Sequence, residues 1–306
     1  MILDCKSVSK KMLNLVKAKN MVLRMKGVYP SFCLIRNSNE SYHKYYLSTL
    51  KRYAKDCEIK LDIEDMFNSN TEELIKIIDK YNANFNTHGI LLEKYNQTLI
   101  NDIVPFKDLD ASSIPNLGSL MVNNETLLPV MVKSILDLFN YKKIDLKNNS
   151  VLILDDENNH YMKILIEILR RKGANISIVN NNTKNISSFF YSANIILIAN
   201  NKKSSIGYDL LEDVNNYNRE NIIHGIDKPI TLLLDLNIHE LKNGDLTGNI
   251  QYNNVDEIYK YAQLEFIEVM PSAQYIKLAL ISLLSNVLIC SDIQHSMLKK
   301  TMSGIN

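Results

Sequence analysis

The sequence predicts an α/β protein of two domains, each built on a mainly parallel sheet, with a cleft between them. Three observations carry this expectation. Short apolar runs of strand length alternate with helix-periodic segments twice, over 31–94 and over 150–236. In the second series the apolar residues are consecutive, as in strands covered on both faces. And 306 residues suffice for two cores.

The elements follow in order. Val8, Met12, Leu15, Val16 and Met21 fall at helical spacing within 3–25. SFCLIRN (31–37) reads as a strand, 39–57 as a helix and KLDIED (60–65) as a strand. SNTEELIKIIDKYN opens on a capping-box pattern, Asn70 or Thr71 ahead of Glu73, before Leu74, Ile77 and Ile78. THGILLEK (87–94) is the next strand, and a helix is expected at about 127–140.

SVLILDD (150–156) begins a Rossmann-like, doubly wound series. An amphipathic helix over 159–172 stops at Gly173, and ANISIVN, SANIILIAN and PITLLLDL add strands. A last helix spans 272–293. Its apolar core, Leu278–Cys290, is about 13 residues against the ~20 that a membrane span needs, so it reads as a buried helix. The expected domains are 1–124 with 272–306, and 125–271.

Composition narrows the function classes. A net charge of +1 offers no bulk attraction to nucleic acid or to an anionic membrane. Cys5, Cys33, Cys57 and Cys290 lack metal-ligand spacing and read as reduced thiols, with no metal site. No Ser-His-Asp or Cys-His order stands out among the six histidines. The first residues, MILDCKSVSKKMLNLV, hold no apolar signal core, so a cytoplasmic location is expected.

Several motifs, in order, resemble the bifunctional methylenetetrahydrofolate dehydrogenase/methenyltetrahydrofolate cyclohydrolase family. ILDCKSVSKK is similar to its opening, with Cys5 for a Gly. THGILLEKYNQ resembles the strand motif VHGILVQLPLP, matching at His88, Gly89, Ile90 and Leu91. KDLDASSIPNLGSL matches KDVDGFHPxNxGxL at Lys107, Asp108, Asp110, Asn116, Gly118 and Leu120. LLPVMVKS keeps Pro129 of FLPCTPxG, and DLNIHELKNGDLTGNI keeps Asp235, Gly244, Leu246 and Gly248 of a later motif. The resemblance covers residues 2–292.

The resemblance implies a folate site, and the departures fall on its chemistry. Tyr46 stands at the family's catalytic-helix Tyr, where it would stack on a pterin or aminobenzoyl ring. Four residues on, Leu50 replaces the catalytic Lys. Glu93 replaces the Gln that the family uses beside that Lys. Lys51 leaves the face shared by Tyr46 and Leu50, because one helical residue turns a side chain by ~100°, and Lys44 is also off that face. Asp110 stands at the pterin-binding Asp. Pro271 survives from a Gly-rich loop near folate and nicotinamide, with Ser272, Ala273 and Lys277 beside it. In the phosphate loop, Asp155, Asp156 and Glu157 put carboxylates where glycines and amides would meet a pyrophosphate.

The expectation is therefore a divergent family member without an intact catalytic set and without NADP-dependent dehydrogenase activity. It keeps a folate-like ligand or acts as a homodimer or as a heteromer with a related subunit. The second reading is an active one-carbon enzyme, a methenyltetrahydrofolate cyclohydrolase, whose reaction needs no dinucleotide.

Overall fold

The computed structural model describes residues 1–36, 41–93, 97–155, 160–180, 182–200, 206–226, 228, 230–237, 239–240, 246–250 and 260–303. The chain divides into two compact units, Ser9–Asp137 with Leu278–Asn306 and Met1–Val8 with Leu138–Lys277.

The first unit is built on β1 (Ser31–Arg36), β2 (Lys60–Asp65) and β3 (Gly89–Leu92), all parallel in the order β2-β1-β3. β1 is central and every residue of it is buried. Helix α1 (Cys5–Met25) precedes the sheet, and α2 (Ser41–Asp56) and α3 (Thr71–Ala83) connect its strands. The capping box closes on Asn70: its side chain accepts from Glu73 N–H, and the Glu73 carboxylate accepts from Asn70 N–H, both at 3.0 Å. Leu74, Ile78 and Tyr81 then pack with Cys33, Ile35 and Ile90. A single turn, α4 (Gln97–Ile100), a 3-10 turn at Pro105–Lys107, α5 (Ile114–Met121) and α6 (Val130–Lys142) follow.

The second unit holds β4 (Ser150–Leu154), α7 (His160–Arg171), β5 (Asn175–Val179), α8 (Ile186–Ser192), β6 (Ile195–Ile198), α9 (Tyr208–Ile223) and β7 (Thr231–Asp235). Two-residue strands β8 (His239–Glu240) and β9 (Leu246–Thr247) pair antiparallel, and β10 (Ile267–Met270) completes the main sheet. Its order is β10-β7-β6-β4-β5, all parallel. This is the doubly wound arrangement in which the winding reverses between β4 and β6. Gly173 ends the first crossover at φ +87°, a conformation open to glycine at little steric cost.

Two expectations need correction. β5 is not covered on both faces: it is the sheet's edge strand, and Ile178 is 51% exposed. The last helix, α10 (Ser272–Ser303), runs ten residues beyond 293 and is 32 residues long. By length and composition it could cross a membrane, but 72% of its apolar window is buried inside the fold, as in a core helix.

Candidate functional site

In open α/β sheets, ligands bind at the carboxyl ends of the strands. At that edge of the three-stranded sheet Arg36 ends β1, Asp65 ends β2, and Glu93 follows β3. Parallel register puts all three together, because Met66 N–H donates to Arg36 O and Glu93 N–H donates to Ile35 O. The Arg36 side chain is only 7% exposed. Its Nη1 donates to Asp65 Oδ1 at 2.8 Å, and its Nε lies 3.7 Å from Glu93 Oε2. The guanidinium sits 5.0 Å from the Phe67 ring centroid. Sequence reasoning passed over Arg36. The available signal was a charged residue closing an otherwise apolar strand.

Helix α2 sorts its residues by face. Thr49, Leu50, Tyr53 and Ala54 are buried, while Ser48, Lys51, Arg52 and Lys55 are exposed. Leu50 has no exposed surface at all, and Tyr46, one turn earlier, is half-buried. Lys51 points to solvent, as the helical rotation requires. The Lys44 side chain lies outside the described residues.

The matched residues of KDLDASSIPNLGSL hold the loop itself. Lys107 Nζ donates to the carbonyls of Tyr81, Asn82 and Asn84 at 2.8–3.0 Å. Burial lowers its pKa to about 8. Asp108 accepts from Ser113 N–H and from Asn116 Nδ2, and burial raises its pKa. Asp110 Oδ1 accepts from Val130 N–H at 3.0 Å, in the first turn of α6, where a carboxylate meets the positive end of the helix.

In the five-stranded sheet, Asp155 follows β4 at the reversal point and is buried. Its N–H donates to Val179 O, and Ala199 N–H donates to Leu154 O beside it. A buried carboxylate there does not suit a dinucleotide phosphate, since like charges repel in a poorly solvated place. Asp156 and Glu157 lie outside the described residues.

A second buried carboxylate ends β7. Asp235 Oδ2 accepts from Asn249 N–H at 2.8 Å and Ile250 N–H at 3.0 Å. Burial nonetheless pushes its pKa up to about 7. A Cβ on Gly248 would lie 2.1 Å from Asp235 Oδ2 and 2.6 Å from Ser272 Oγ, so the close approach requires glycine. Pro271, buried between β10 and α10, accepts from Gln274 and Tyr275 N–H and so starts the helix. Among the described residues no group of three or more His, Cys, Asp or Glu could hold a metal ion.

Comparison with known proteins bears on this fold and motif order. The family described as tetrahydrofolate dehydrogenase/cyclohydrolase, catalytic domain, matches residues 3–110. The bifunctional protein FolD of Bacillus velezensis is 24% identical over 263 residues, which are 84% of this chain and 87% of that one. The amino-terminal third of the chain thus matches that family's catalytic domain, and most of the chain is similar to FolD proteins.

The similarity is distant. The FolD protein of Lactobacillus helveticus is 26% identical over 267 residues, 85% of this chain and 88% of that one. The fold is shared with the bifunctional FolD enzyme of Campylobacter jejuni, with a TM-score of 0.78 at 20% identity over 95% of this chain and 98% of that one. The bifunctional dehydrogenase/cyclohydrolase of Thermoplasma acidophilum gives 0.75 at 19% identity, over 97% and 100%.

Proposed function

We propose that this protein keeps the family's folate-binding unit but does not carry out NADP-dependent oxidation of methylenetetrahydrofolate. The observation that carries this reading is the burial of Leu50. At the position that the resemblance gives to the catalytic Lys, an isobutyl side chain is sealed into the core. An isobutyl group cannot relay a proton, and positioned proton transfer typically supplies ~10²–10⁴-fold in rate. Asp155, unsuited to a dinucleotide phosphate, supports the same conclusion for hydride transfer. Tyr46 and Asp110 remain the proposed contacts for a folate-like ligand. Pro271, kept from the family's Gly-rich loop, is a further proposed binding residue. The protein is proposed to work as a homodimer or with a related subunit, which size-exclusion alone and with such a relative would test.

The test is calorimetry with a tetrahydrofolate analogue and with NADP in parallel, beside an assay of methylenetetrahydrofolate oxidation. Folate binding without NADP binding or turnover is expected. Turnover at an ordinary family rate, in a sample free of host enzyme, overturns the reading.

The Arg36–Glu93 pair favours a second reading, cyclohydrolase alone. Arg36 fixes the Glu93 carboxylate in place, a positioned carboxylate is a group that can accept a proton from water, and that reaction uses no dinucleotide. Methenyltetrahydrofolate hydrolysis that Glu93→Gln abolishes would select this reading. A large gain on Leu50→Lys would show that the rest of the site is intact.

A further inference from the structure

We propose that the three-stranded unit carries a second small-molecule site, at the amino ends of its strands, built for a flat aromatic carboxylate. The cavity there measures about 570 Å³. That falls within the roughly 300–1,000 Å³ typical of small-ligand pockets. It is lined at the starts of the strands, by Ser31 of β1, Lys60 of β2 and His88 just ahead of β3. It is therefore at the opposite end of the sheet from Arg36, Asp65 and Glu93.

The walls are aromatic. Tyr29, Phe85 and Phe106 line the cavity, and Tyr29 and Phe85 are 63% and 80% exposed. The Phe85 ring, and the Tyr29 face that the Arg24 guanidinium 5.1 Å away does not cover, are open to a flat guest.

The charge is one-sided. Arg24, Lys60 and Lys107 line the cavity against one lining carboxylate, Glu58, which Arg24 Nη2 engages at 3.3 Å, while Lys60 Nζ reaches Asp62 outside the lining at 3.0 Å. Lys107 is 2% exposed, and its ammonium has no carboxylate partner among the described residues. Three carbonyls satisfy its hydrogens but do not cancel its charge, so a positive field remains that a bound anion would offset.

Donors are also present. His88 Nδ1 accepts from Ser31 N–H at 3.3 Å, so the neutral ring carries its proton on Nε2. Burial and nearby Lys107 lower the His88 pKa, which keeps that neutral form. His295 Nε2 is buried without a hydrogen-bond partner among the described residues. Aromatic faces, an uncancelled ammonium and two imidazoles select an aromatic ring bearing a carboxylate.

The experiment titrates 4-hydroxybenzoate against its neutral analogue 4-hydroxybenzamide, following histidine side-chain resonances and affinity. The acid should bind with a Kd of about 1 mM or tighter, and the amide about tenfold more weakly. Lys60→Glu and Phe85→Ser are substitutions at exposed positions, and each should weaken the acid about tenfold with the melting temperature kept. Tyr46→Ala should leave acid binding unchanged, which separates this site from the proposed folate site. No binding at several times that concentration, equal affinity for acid and amide, or full affinity in Lys60→Glu and Phe85→Ser would each overturn the proposal.

Discussion

Arg36 and Glu93 face each other across the carboxyl ends of β1 and β3, with Nε 3.7 Å from Oε2 and side-chain exposures of 7% and 9%. The resemblance places a Gln at 93 beside a Lys at 50. In this chain the residue at 93 is an acid, the residue at 50 is apolar, and the cation beside 93 comes from a strand. The cation beside Glu93 is thus a guanidinium on a strand, where the family pattern has an ammonium on a helix.

Removing the guanidinium takes away the cation beside the buried Glu93 carboxylate. Arg36→Met should destabilise the protein by about 3–5 kcal/mol, and Glu93→Gln in the same chain should recover part of the loss. Chemical denaturation of the two single variants and the double variant measures the coupling. Additive effects would show that the two side chains do not interact.

Asp235 should set a pH dependence. Its folded pKa is raised from 3.8 to about 7, so between those values the folded state holds a proton that the unfolded chain has released. Stability from this group is then full below about pH 4 and falls as pH rises to about 7. Asp235→Asn stays neutral throughout, and its stability should lack that component. Parallel pH profiles of the wild type and the variant would sink the assignment.

Gly248→Ala should destabilise by about 1–3 kcal/mol, the usual cost of an overpacked site. The added methyl meets Asp235 Oδ2 and Ser272 Oγ, which are both buried. Thermal melts read the loss. Gly118→Ala, where a Cβ meets nothing within 4 Å, is the control and should not be destabilised by crowding.

All four cysteines are buried and none is in a disulfide. Burial pushes Cys5 and Cys33 up to about 12, Cys57 to about 11, and Cys290 higher still. A thiol reagent needs the thiolate, so the native protein should label slowly and the denatured protein should label four thiols quickly. Rapid labelling of the native protein at neutral pH would contradict the described packing.

Local signals were legible before the fold was known. The Asn70–Glu73 capping box involves neighbours in sequence, so four residues suffice to predict it. The strand SVLIL is marked by β-forming side chains, KLDIED by the alternation of Leu61 and Ile63 with charged residues, and Gly173 marks a helix end. β10 was not legible, because four residues, IEVM, carry too little periodicity. The exposure of β5 was not legible either, since its apolar residues read the same at an edge as at the centre.

The sequence alone determined the α/β class, most of the elements, the family motifs in order, and the substitutions at Leu50, Glu93 and Asp155. Each rests on side-chain type or on spacing within a short stretch, where local propensity and periodicity act. The tertiary structure alone decided that Arg36 meets Glu93, that Asp110 caps α6, and that Lys107 lies beneath a cavity without a carboxylate partner among the described residues. Those contacts join residues about 20 to nearly 60 positions apart in the chain, brought together by parallel strand register and helix packing, which no local pattern encodes.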